Sequence, residues 1–137
     1  MRQTIAPGST ITPLRAGLAY LVIIAAGNLV WEVAHAPLYT IWIEASFREI
    51  AFAIIHCTLG DIAIAAASLA FGWMLFGRRH WPQQRWFSVA IAAILIGVGY
   101  TVFSEWLNIS VRGSWAYRDI MPTLGPLNTG LSPLLQW

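Results

Sequence analysis

The sequence predicts an all-α integral membrane protein, with three transmembrane helices followed by a short C-terminal segment, broken by proline and glycine, that is re-entrant or interfacial. Two compositional facts and one pattern carry this reading. Apolar residues make up 58% of the 137-residue chain and charged residues only 10%, with a mean hydropathy of +0.63. A soluble domain runs near roughly 45–50% apolar and about 25% charged, and a chain this small has the most surface per residue to cover with polar groups. Three stretches reach or approach the ~20 apolar residues that cross about 30 Å of hydrocarbon. The alternation of a transmembrane barrel strand is missing, so helices are the form in which backbone groups find partners in lipid.

The whole chain, 1–137, forms one transmembrane domain. Met1 to Pro13 is polar and interrupted by Pro7, Gly8 and Pro13. No charged segment with a small-residue cleavage site follows, so the first apolar stretch reads as a retained helix. That span covers 14–36 and ends where Pro37 breaks or bends it. The second covers 50–76, with Gly77 as its C-terminal cap, and the third covers 86–107. Asn108 to Asp119 is polar and aromatic, with Trp115 and Tyr117 between Arg112 and Arg118. It reads as an interfacial aromatic anchor, or as a lid or docking surface. Segment 120–137 is apolar again but carries Pro122, Pro126, Pro133, Gly125 and Gly130. Even a fully helical Leu127–Trp137 would measure roughly 16 Å, half a bilayer. The segment is therefore re-entrant, interfacial or the stub of a fourth helix.

Charge narrows partners and orientation. There is no lysine; the eight cations are arginines, set against six acids, and a net charge of +2 is too weak a field for nucleic acid. The single cysteine, Cys57, excludes an internal disulfide and a CxxC redox or zinc motif. Arg2, Arg15, Arg78, Arg79 and Arg85 fall on one side of the predicted spans and Arg48, Arg112 and Arg118 on the other. The positive-inside rule then puts the N-terminus in the cytoplasm, in what reads as a bacterial inner membrane. Trp73, Trp81 and Trp86 mark one boundary and Trp31, Trp42, Trp106 and Trp115 the other.

Ionisable groups inside the spans are the candidate functional residues, because each is costly there. Alternating passage through the membrane brings Glu32 and His35, His56 and Asp61, and Glu105 into the non-cytoplasmic half. Asn28, Glu32, His35 and Tyr39 step by four, three and four along one face, with Pro37 disturbing the last. His56 and Asp61 flank a small-residue face on the second span, with Cys57 on it. Gly97, Tyr100, Thr101, Ser104 and Asn108 form a stripe on the third, with Glu105 at its edge.

Glu32-x-x-His35 has the spacing with which di-iron carboxylate bundles offer an oxygen and an imidazole to one ion. Glu32, His35, His56, Asp61 and Glu105 together would make a mixed nitrogen and oxygen set for zinc, iron, manganese or copper, in a catalytic, transport or structural role. Haem between His35 and His56 is a weaker fit, since their depths differ. Two other readings stand beside the metal site. One is a non-catalytic accessory subunit of a larger membrane complex, or a homo-oligomer. The other is a proton or small-solute pathway with Asp61 as its relay carboxylate. No nucleophile elbow or phosphate-cradling loop is visible, so enzymatic activity stays open. Asn108-Ile-Ser110 matches a glycosylation sequon, relevant only in a glycosylating host.

Overall fold

The computed structural model describes residues 11–78 and 81–137. The polar N-terminus with Arg2, Pro7 and Gly8, and Arg79 of the second connection, lie outside the described residues. Three long helices form, α1 (Pro13–His35), α3 (Phe47–Gly72) and α4 (Trp86–Glu105), with a single-turn α2 (Ile41–Glu44) between the first two. A 3-10 turn at Ala36–Leu38 and π-helical turns at Trp73–Gly77 and Trp106–Val111 extend them. The resulting apolar spans are Pro13–Leu38, Phe47–Gly77 and Trp86–Val111.

The chain is thus a membrane protein, and the spans follow the expected ones to within a few residues. The differences lie at the ends and have local causes. Thr12 caps α1, its Oγ1 accepting from the Arg15 N–H at 3.3 Å, while Pro13 takes the first helical position, where no N–H is needed. Ser46 and Glu49 close a capping box that starts the second span at Phe47 rather than at residue 50. The π-helical turn carries the third span past Leu107 to Val111.

The interior is the reverse of a soluble core. The buried apolar residues are Ala36, Ala65, Val89, Ala93 and Met121, whereas Phe52, Leu59, Leu95 and Phe103 point outward. Lipid solvates large side chains as well as protein does, so helices in a bilayer gain from approaching closely through small residues. α3 is the central helix and packs against both α1 and α4. Ala65, Ser68 and Gly72 of α3 form the seam with Val89 and Ala93 of α4. A β-carbon at Gly72 would stand 2.8 Å from the Val89 carbonyl oxygen, a measure of how near the two backbones come.

The C-terminal segment folds back onto the bundle. The aromatic stretch before it pairs with the connection after α1: Thr40 N–H donates to Ala116 O at 3.0 Å and Arg118 N–H to Leu38 O at 2.9 Å. A two-stranded hairpin follows, β1 (Thr123–Leu124) against β2 (Thr129–Gly130), with Thr123 opposite Gly130. Its turn needs left-handed backbone, supplied by Gly125 at φ 70° and Asn128 at φ 50°. The short α5 (Leu131–Leu135) then packs against α4 and delivers Gln136 and Trp137 to the middle of the spans. The segment is thus a strand-and-helix arm rather than a fourth span: residues 122–128 are exposed, whereas Thr129, Gly130, Ser132 and Pro133 are buried.

Candidate functional site

A chamber of about 840 Å³ opens at the end of the bundle where α1 and α4 finish and α3 begins. Four of the five expected residues converge on it from three helices. Glu32 and His35 come from α1, Asp61 from α3 and Glu105 from α4, and each is less than a tenth exposed. Helical spacing explains their aim. Asn28, Glu32 and His35 are the buried face of α1; Thr58, Asp61, Ala65, Ser68 and Gly72 that of α3; Val89, Ala93, Gly97, Thr101 and Glu105 that of α4. Steps of three and four keep each set on one side of its helix. On α4 this corrects the expected phase: Glu105 lies within the buried row and Tyr100 outside it, about half exposed.

His56 behaves differently. It borders the chamber but is exposed, its ring stacked on Phe52 one turn earlier at 5.8 Å between centroids. The Phe52 face supplies the imidazole with a neighbour on its own helix. Cys57 also lines the chamber, half-buried and free. Among the described residues no three His, Cys, Asp or Glu side chains stand together at metal-binding range.

Two linked groups result. In the first, Glu32 Oε1 meets His35 Nε2 at 3.1 Å, and the Glu32 and Asp61 carboxyls are buried as neighbours on the chamber wall. On the far side of the imidazole, His35 Nδ1 lies 2.9 Å from Ser132 Oγ. Both ring nitrogens of His35 are therefore engaged by protein groups. Asp61 Oδ1 accepts from Gln136 Nε2 at 3.2 Å, whereas Asp61 Oδ2 and Gln136 Oε1 are buried with no conventional donor among the described residues. In the second group, Glu105 Oε2 accepts from Tyr39 at 3.4 Å and from Tyr117. Tyr117 Oη in turn accepts from Gly130 N–H at 2.8 Å. The His35 and Tyr39 rings meet edge to face at 5.5 Å and join the groups.

The electrostatics outside the spans agree with these roles. Burial, reinforced by Glu105, pushes the Tyr39 phenol above its ordinary range, and burial with the Glu105 hydrogen bond does the same for Tyr117. Both therefore stay protonated and donate to Glu105, giving its buried carboxyl two hydrogen-bond donors.

The structure adds partners whose sequence signals are weaker. Tyr39 belongs to the α1 stripe and keeps its place despite Pro37. Tyr117 sits in the aromatic stretch read as an anchor or lid, and its hydroxyl turns inward. Ser132 and Gln136 come from the proline- and glycine-broken segment, where no periodic signal points at any side chain. Compared with known families, curated proteins and solved structures, the chain matches none.

Proposed function

We propose that the chamber is a membrane-embedded acid–base site, which binds a lipid-soluble small molecule and exchanges a proton with it. The observation that carries this reading is the burial of the Glu32 and Asp61 carboxyls on one chamber wall, with Asp61 Oδ2 lacking a donor among the described residues. Two carboxylates only accept, and two that are buried side by side are relieved when they share one proton. That proton also gives Asp61 Oδ2 the donor it otherwise lacks. His35 stands next in line, within 3.1 Å of Glu32, and Ser132 holds its other nitrogen. A proton entering at His35 can pass to Glu32 while the shared one moves onto Asp61, and the reverse path removes it.

The line of titratable groups stops at Asp61. Beyond it the seam between α3 and α4 continues as Ala65, Ser68 and Gly72 against Val89 and Ala93, with no titratable side chain among these described residues. Delivery to a molecule in the chamber fits such a dead end better than conduction across the bilayer. The volume agrees, since ligand pockets run about 300–1,000 Å³. Gln136 Oε1 offers that molecule a free acceptor. In the same reading the N-terminus faces the cytoplasm of a bacterial inner membrane and the chamber opens on the other side, because five of the eight arginines fall on the N-terminal side of the spans.

Infrared spectroscopy of the protein in nanodiscs, in light and heavy water, tests the reading. A deuterium-sensitive protonated-carboxyl band at neutral pH, absent in both Asp61→Asn and Glu32→Gln, is expected. A spectrum of ionised carboxylates alone would overturn it. So would zinc, iron, manganese or copper at one ion per chain that disappears in His35→Ala, which would establish the metal reading instead.

A further inference from the structure

The outer end of the chamber is bordered by Arg48, in the first turn of α3, and by Arg112, just past the third span. Neither forms an ion pair among the described residues. Glu49, the acid beside them, is engaged elsewhere: its Oε2 accepts from Ser46 N–H at 2.8 Å and from Ser46 Oγ–H at 2.7 Å. Trp115 lines the same opening, and its indole Nε1 is buried with no acceptor among the described residues. The rim thus presents two guanidinium forks and an unmatched N–H, all donors, all suited to the oxygens of a carboxylate or phosphate.

The inner end has the opposite character. Asp61 lies thirteen positions beyond Arg48 on the same helix, about 20 Å at the helical rise. The wall between them includes Ile50, Ala53 and Ile54. A ligand matching both ends is anionic where the chamber opens and apolar along its length. We infer that the chamber holds a single-chain amphiphile with an anionic head, seated on Arg48, Arg112 and the Trp115 N–H, its chain running inward to the Glu32–Asp61 pair. This rests on the acid–base reading and names the class of molecule that site takes. The head group fixes depth, so that only an atom at a set distance along the chain reaches the acid pair.

The probes are a fatty acid brominated along its chain, its methyl ester, and inorganic phosphate, added to the protein in phosphatidylcholine nanodiscs. Bromine quenches nearby tryptophan. The acid is expected to quench saturably, with a smaller amplitude in Trp115→Phe, and to bind at least tenfold tighter than the ester. Arg48→Gln/Arg112→Gln should weaken the acid at least tenfold and leave the ester unchanged, which also shows that the variant is folded. Equal binding of acid and ester, or an acid affinity untouched by the double substitution, would overturn the inference. Displacement of the acid by millimolar phosphate would overturn it too, marking a site for free anions. The carboxyl infrared band separates the two levels: band intact with acid binding absent removes the head-group assignment alone, whereas no band removes the acid–base reading.

Discussion

Trp137 occupies the space that a side chain at Gly97 would take. A β-carbon at Gly97 would collide with the Trp137 ring, and one turn further along α4 Thr101 Oγ1 accepts the indole N–H at 2.8 Å. The C-terminal segment therefore reaches the middle of α4 through a notch in that helix, which is what lets Gln136 touch Asp61. Gly97→Ala should lift Trp137 from the notch and destabilise the protein by about 1–3 kcal/mol, the usual range for overpacking. Thermal unfolding in nanodiscs and protease sensitivity of the 120–137 segment check this. A protected segment at unchanged melting temperature would contradict it.

His35 and His56 should differ sharply. His35 is buried between Glu32 and Ser132, so His35→Ala strands buried polar groups and should cost about 1–3 kcal/mol. His56 rests on Phe52 at the exposed chamber wall, and His56→Ala should stay within about 0.5 kcal/mol. The same two variants compared by infrared should lose and keep, respectively, the native position of the carboxyl band. A larger effect from His56 would show that the imidazole works inside the cluster after all.

Much of this architecture was legible beforehand because lipid imposes strong rules. The three spans follow from length and apolarity, and the convergence of Glu32, His35, Asp61 and Glu105 follows from alternating passage plus steps of three and four. His56 escaped the same logic. Depth put it beside the others, but rotation about α3 sets it off the Asp61 row, and a neighbouring aromatic ring satisfies it. The contributions of Ser132, Gln136 and Trp137 were invisible for a different reason. They depend on a hairpin turn and a missing side chain at Gly97, long-range features that no local pattern encodes.

Tyr39 and Tyr117 should act as a unit on Glu105. Replacing either by Phe leaves the buried carboxylate one donor short, at about 1–3 kcal/mol. In a double-mutant cycle of Tyr117→Phe with Glu105→Gln, a coupling of about 0.5–3 kcal/mol is expected from unfolding midpoints. Additive losses would mean that the contact carries no energy of its own.

Alkali gives a separate test with a definite sign. The phenols of Tyr39 and Tyr117 are held above their ordinary value of 10.0, so the folded state binds their protons more tightly than the unfolded chain does. Their contribution to stability is complete below about pH 10 and is lost as pH climbs beyond it. Ultraviolet titration should show at least two of the four tyrosines ionising only together with unfolding. Tyr39→Phe/Tyr117→Phe should lessen the alkaline loss of stability. Phenolate formation by both at ordinary pH in the folded protein would contradict the burial on which their donor role depends.

The most direct measurement is solid-state NMR of protein carrying carbon-13 at the carboxyl carbons of aspartate and glutamate, in lipid at neutral pH. The account predicts a dipolar contact between Asp61 and Glu32, with one carboxyl shift moved toward the protonated form and both altered by Gln136→Ala. Two independent carboxylate signals with no contact between them would contradict it.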